Sequence, residues 1–174
     1  MTLLERVESI LDSRAIPSAL IGAAALAVHG VSRSTFDRDL LAANPGVLDS
    51  AFWRDGLPGV ATDVRRGDAS DPLTGVIRFQ QPDERDVDLV VIRASWVEAL
   101  LARAVARAEG ATAGRVVTAP DLILLKLYAA GAQDRWDIAQ LLAQDDTGAV
   151  GRAVDERVGA LPSRCRTLWA EQRP

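Results

Sequence analysis

Ile21-Gly22-Ala23-Ala24-Ala25-Leu26-Ala27-Val28-His29-Gly30-Val31-Ser32-Arg33-Ser34-Thr35-Phe36-Asp37-Arg38-Asp39-Leu40-Leu41 is the stretch that decides the fold. It reads as an apolar strand ending at Gly22 and an alanine-rich helix closed by Gly30. A polar turn with Arg33 and Ser34 follows, then a second strand with Asp37 and Asp39. A glycine at a strand-to-helix turn lets the backbone approach whatever lies at the helix start, where free N–H groups favour an anion such as phosphate. Side chains alternate along a strand, so Asp37 and Asp39 share a face about 6.5–7 Å apart while Arg38 points the other way. At an effective dielectric near 20 two carboxylates at that separation repel by roughly 2.5 kcal/mol. A divalent cation between them removes that repulsion.

Three later segments extend the pattern. Asp86-Val87-Asp88-Leu89-Val90-Val91-Ile92 predicts a strand with Asp88 on the face opposite Val87, Leu89 and Val91. Asp121 to Ala130 predicts a helix apolar in nearly every direction and therefore buried, with Lys126 as its only cation. Gly131 to Leu142 predicts a further helix, carrying Asp134 and Asp137. The glycine turn before an Asp-x-Asp strand resembles the nucleotidyltransferase fold of the DNA-polymerase-beta superfamily. Within it, His29-Gly30, Arg33, Thr35, Asp37 and Asp39 are similar to the H-G-x-x-R-x-T-x-D-x-D pattern of small bacterial proteins related to AbiEii-type abortive-infection toxins. The run around Lys126 with the later Asp134 and Asp137 extends that likeness over most of residues 19–142.

The resemblance implies a short mixed sheet flanked by helices, an α/β (α+β) fold with a C-terminal helical extension. It also implies metal-dependent transfer of a nucleoside monophosphate from a nucleoside triphosphate to an acceptor hydroxyl on an RNA, a protein or a small molecule. Asp37 and Asp39 would hold Mg²⁺ or Mn²⁺, Asp88 would complete the metal site and assist the nucleophile, and Lys126 would neutralise developing charge. Gly22, Ala23, Arg33, Ser34 and Lys126 would bind the nucleotide, with Asp134 and Asp137 as secondary candidates. Two ions about 3.5–4 Å apart clamp the entering and leaving oxygens of such a displacement. A cognate toxin or antitoxin is the partner this likeness implies. Ala23 stands where the family has Gly or Ser, and Arg38 replaces an apolar residue. Both departures favour the alternative, a nucleotide- or partner-binding module of the same fold without turnover.

At 174 residues the chain suits one unit, expected as an α/β core over residues 1–118 with a helical segment over 119–174 packed on it. A net charge of −4 argues against a broad nucleic-acid-binding face, and no apolar run is long enough to span a membrane. Met1 to Ala15 is charged throughout and predicts no secretory signal. The single cysteine, Cys165, forms no internal disulfide, and a reducing cytoplasm is the simplest setting. Of the 20 Lys and Arg residues only Lys126 is lysine, which singles it out.

Local signals fill in the rest. Thr2-Leu3-Leu4-Glu5 predicts a capping box and a helix to Ser13, and Ser95-Trp96-Val97-Glu98 a second box with a helix running through Val105. Asn44-Pro45-Gly46 predicts a short helix through Trp53. Strands are expected at 60–64 and 76–79 around a loop turned by Asp68 and Asp71, and an edge strand at 114–117. Thr118 with Pro120 opens the apolar helix, and Val150 to Leu161 closes the chain. Bland roles stand beside the chemical ones. Gly22 serves as a plain turn, His29 sits favourably at a helix end, Arg33 braces a carboxylate, and Asp134 and Asp137 act as N-cap and N3 of one helix. Arg103 and Arg107 read as a solvated edge, and the four tryptophans as core or interface anchors. No nucleophile elbow, Walker loop or Cys/His set supports a serine hydrolase, a P-loop ATPase or a zinc protein.

Overall fold

The computed structural model describes residues 1–68, 71–107 and 114–173. Helix α1 (Leu3–Ser13) starts at the expected capping box, Thr2 and Glu5 each bonding the other's backbone N–H. It buries Leu3, Val7 and Leu11. Strand β1 (Ser18–Ile21) runs directly into helix α2 (Gly22–Val28). That helix ends in a Schellman motif, with Gly30 N–H on Ala27 O, Val31 N–H on Leu26 O, and Gly30 at φ +83°. Strand β2 (Arg38–Ala42) returns antiparallel to β1. Asp37, expected within the strand, instead lies just before it, its N–H on Thr35 Oγ1 at 3.3 Å.

Two 3₁₀ turns, Pro45–Leu48 and Ser50–Phe52, follow the Asn44 cap, and Trp53 beyond them packs edge-on against Phe79. Strands β3 (Ala61–Arg66) and β4 (Leu73–Gln80) form a hairpin, with Asp71 closing the turn as expected through Leu73 N–H at 2.8 Å. Strand β5 (Val87–Ile92) lies antiparallel to β4 and parallel to β2. Helix α3 (Trp96–Arg103) stops two residues before the expected Val105, because Val105 and Ala106 leave as strand β6 to pair with β7 (Arg115–Val116). Ser95 gives α3 no side-chain cap. β7, expected at an edge, joins β1 in parallel, and β6 is the edge strand beside it. Among the described residues the sheet runs β3-β4-β5-β2-β1-β7-β6.

Helix α4 (Ala119–Ala129) opens with Thr118 as N-cap and buries every residue from Asp121 to Leu127. It packs against α2, α5 (Ala132–Ala143), α6 (Ala149–Arg157) and α7 (Ser163–Gln172), so its apolar circumference faces protein on all sides. The last segment, uninformative by sequence, is a helix because Cys165, Leu168 and Trp169 reach the core at i, i+3, i+4. Trp53 and Trp169 are core residues, and Trp136 is half exposed on α5. No helix among the described residues is long and apolar enough to cross a membrane.

Among the described residues, the charges buried in this core are paired. Asp121, fully buried, receives Arg103 through both Nε and Nη2, the shortest contact 2.6 Å, and also meets Arg157 and Thr118. Arg107 holds buried Glu8 at 2.6 Å, tying β6 to α1, and burial pushes the Glu8 carboxyl above its ordinary value. Arg103 and Arg107 are therefore inter-element ties, not a solvated edge. Removing one member of such a pair leaves the other desolvated and unmatched. Asp121→Ala is expected to lower unfolding free energy by about 2–4 kcal/mol in urea titration. A loss under about 0.5 kcal/mol would contradict the structural role given to this cluster.

Candidate active site

The parallel pairing of β2 with β5 sets Asp39 directly opposite Asp88, and the antiparallel pairing of β1 with β2 sets Ile21 opposite Asp39. Residues paired across neighbouring strands share a face, so the carboxylates of Asp39 and Asp88 emerge side by side. Arg78 on β4 pairs with Asp88 and shares that face too. Its guanidinium donates through Nε and Nη2 to both oxygens of Asp88 at 2.7 Å, and through Nη2 to Asp37 Oδ2 at 3.1 Å. Asp86 completes the ring of acids at 3.8 Å from Nη1. Hydrogen bonding to Asp88 and the charge beside it hold Arg78 above its ordinary pKa.

Asp39 is left out of this network. Its carboxylate makes no hydrogen bond or ion pair among the described residues, and is pushed up to about 6 by burial first, then by the charges of Asp88 and Asp37. Lys126 and Arg33 act on it in the opposite sense. Gly22 makes room for it: a Cβ at that position would overlap Oδ2 of Asp39, and φ +63° is a conformation that L side chains rarely adopt. The strand-to-helix glycine thus seats a carboxylate against the backbone, which neither the plain-turn nor the phosphate reading of Gly22 had supplied.

A second ionic cluster adjoins. Lys126 Nζ lies 2.6 Å from Asp137 and 2.8 Å from Asp134, nearly buried, and Arg33 reaches Asp137 at 3.3 Å. Arg33 braces a carboxylate, the second of its two expected roles, and Lys126 neither snorkels to solvent nor stands free. Asp134 is N3 of α5, not its N-cap, accepting Gly131 N–H at 3.0 Å, and Asp137 is wholly buried a turn further on. The shift arises because Ala130 takes a left-handed φ of 57° and ends α4 early enough for α5 to begin at Ala132. His29 caps α2 and donates Nε2 to Val117 O at 2.8 Å, a structural post.

Ala23, Arg33 and Ser34 line one recess of about 340 Å³ with Thr35, Phe36 and Arg85. Ala23 is buried in its wall, and Ser34 is exposed. The structure thus gathers Asp37, Asp39 and Asp88 in one cluster, Lys126, Arg33, Asp134 and Asp137 in a second, and Ala23, Arg33 and Ser34 around a recess. Arg78 is the residue that sequence reasoning passed over. The available signal was its place in Val76-Ile77-Arg78-Phe79, where buried Ile77 and Phe79 alternate with a charge on the face of Asp88.

Oxygen-only donors of this kind suit Mg²⁺ or Mn²⁺ better than softer ions. The uncompensated charge of Asp39 fits such a guest, while Arg78 already neutralises Asp37 and Asp88. Among the described residues, no three His, Cys, Asp or Glu side chains stand ready as they are to hold one ion. A cation entering here therefore competes with the Arg78 guanidinium.

Neither a family model nor a curated protein sequence matches the chain. Solved structures do. The solution structure of the antibiotic-resistance factor ANT(2'')-Ia superposes over 97% of this chain and 94% of its own, with a TM-score of 0.55 at 16% identity. A candidate nucleotidyltransferase of Thermotoga maritima superposes over 82% of this chain and 92% of its own, with a TM-score of 0.55 at 12% identity. At these identities the likeness establishes the fold, a mixed sheet flanked by helices of the nucleotidyltransferase kind.

The Asp39 environment fixes a pH dependence. A folded-state pKa of about 6 against 3.8 unfolded means that the native state holds the proton more tightly. Stability of the metal-free protein then falls as pH rises through that window, and the full penalty is present above it. Asp39→Asn is expected to be more stable than wild type at pH 7.5 by up to about 3 kcal/mol, with the difference vanishing near pH 3.5. Urea titrations at the two pH values check this. An equal difference at both would remove the burden assigned to Asp39.

Proposed function

We propose that this chain transfers a nucleoside monophosphate from a nucleoside triphosphate to an acceptor hydroxyl. The observation that carries the reading is the in-register pair Asp39 and Asp88 on adjacent parallel strands, with Asp37 at the strand entrance and Gly22 admitting Asp39. Asp37, Asp39 and Asp88 would hold Mg²⁺ or Mn²⁺, which when bound polarises the phosphoryl oxygens and stabilises the charge on entering and leaving groups. Asp88 would take the proton of the acceptor hydroxyl as its oxygen bonds to the α-phosphorus and pyrophosphate departs. Gly22, Ala23, Arg33 and Ser34 would bind phosphates from the α2 side. Lys126, held by Asp134 and Asp137, would supply positive potential near Asp39. The finer reading is a small bacterial transferase of the AbiEii type. It would act in the cytoplasm on an RNA, protein or small-molecule hydroxyl, beside a cognate toxin or antitoxin.

A second reading rests on Arg78. Its guanidinium gives Asp88 and Asp37 the positive charge that a cation would bring, so those two acids are balanced without metal. In that reading the chain is a nucleotide-binding module with little or no turnover.

Incubation with α-labelled nucleoside triphosphates, Mn²⁺ and candidate acceptors separates the two. The leading reading expects transfer by wild type, reduced at least about a hundredfold in Asp37→Asn/Asp39→Asn, as when a principal electrostatic stabiliser is lost. The module reading expects nucleotide binding with negligible transfer, and stronger Mn²⁺ binding by Arg78→Met than by wild type. Absence of nucleotide binding by either protein would overturn both.

A further inference from the structure

Arg38 points away from the acids, and its destination is a separate cavity of about 870 Å³ between α1, α2 and the turn before β5. Its apolar wall includes Leu4, Leu20 and Val28. Its charged groups are Arg38, Arg85, Arg107, Asp83 and Glu84. Most of these are engaged. Glu84 accepts from Leu3 N–H and from Arg6, Arg107 holds Glu8, and Arg85 donates to Thr35 O at 3.5 Å. The Arg38 guanidinium makes no hydrogen bond or ion pair among the described residues, although its backbone N–H donates to Asp86 O at 2.9 Å. Arg85 and Arg107 line the same cavity and bring like charge to it. Other half-buried arginines meet carboxylates, as at Asp121, Glu8 and Asp88, or carbonyls, as Arg115 does.

A guanidinium crowded by like charge at an apolar-walled cavity lacks an anion. The volume lies in the range of small-molecule sites, which combine apolar walls with a few convergent polar groups. We propose that this cavity binds an amphipathic anion, its single phosphate or carboxylate head between Arg38 and Arg85 and its apolar body against Leu4, Leu20 and Val28. A planar guanidinium matches either head through paired N–H donors. The site is distinct from the acid cluster, since Asp39 and Arg38 leave β2 on opposite faces. It adjoins the recess of Ala23 and Ser34 through Ala24, Ala27, Arg38 and Arg85.

Calorimetric titration of the full chain with octyl phosphate, octanoate, inorganic phosphate and octanol tests this. Octyl phosphate or octanoate should bind, the tighter of the two identifying the head group. Inorganic phosphate should bind at least about tenfold more weakly for want of the tail, and octanol should not bind. Val28→Trp fills the cavity from a position outside the recess, and should weaken the amphiphile about tenfold or more while leaving ATP binding as in wild type. Arg38→Leu should weaken it similarly, and Arg38→Lys, which keeps the charge but loses the paired donors, should weaken it less than Arg38→Leu does. Circular dichroism confirms that each variant is folded. Failure of both amphiphiles to bind wild type would overturn the proposal. So would unchanged affinity in Val28→Trp and Arg38→Leu, or parallel loss of ATP binding in Val28→Trp.

Discussion

The parallel pairing of β2 with β5 sets two carboxylates side by side, and much of the surrounding structure answers that constraint. Asp39 and Asp88 cannot avoid each other without a register shift, and a one-residue shift of β5 would turn buried Val87, Leu89 and Val91 onto the face that now carries Asp88. The apolar pattern of β5 therefore holds the acids together against their repulsion. Arg78, itself fixed by the pairing of β4 with β5, absorbs the charge of Asp88 and Asp37. Asp39 has only the distant help of Lys126 and Arg33, and its raised pKa measures what is missing.

The same rule of matched charge runs through the molecule. Asp121 has Arg103 and Arg157, Glu8 has Arg107, and Asp137 has Lys126 and Arg33. Each joins elements far apart in sequence, so the ties support tertiary order more than local helix stability. Arginine suits them because its planar fork can hold both oxygens of one carboxylate, as at Asp88 and Asp121. Asp39 on one face of β2 and Arg38 on the other have side chains with no such partner among the described residues. Their unmatched charges are what motivate the cation proposed at Asp39 and the anion proposed at Arg38.

Features set by short-range chemistry were readable before the structure. The Thr2 capping box, the Gly30 stop, the Asn44 and Thr118 caps and the apolar circumference of α4 all follow from residues within a few positions of one another. The likeness built on Gly22, Asp37 and Asp39 led to the fold that the structural neighbours display. Features set by distant partners were not readable. Arg78 matters only because β4 lies beside β5, a pairing that its own neighbourhood does not announce. Helix α3 ends at Arg103 because a sheet edge claims the next two residues, and α7 forms because the core accepts Cys165, Leu168 and Trp169. Asp134 and Asp137 moved within their helix because the left-handed Ala130 ended α4 where no glycine marked the stop.

The account turns on whether the acid cluster is a cation site that Arg78 guards or an ion-paired cluster that Arg78 completes. A crystal structure of the chain with Mn²⁺ and a non-hydrolysable nucleoside triphosphate decides this most directly, because manganese reveals itself by anomalous scattering. The account predicts an anomalous peak ligated by Asp37, Asp39 and Asp88, with the Arg78 guanidinium withdrawn from Asp88. An Arg78–Asp88 pair unchanged at high Mn²⁺, with no peak at these three carboxylates, would contradict it.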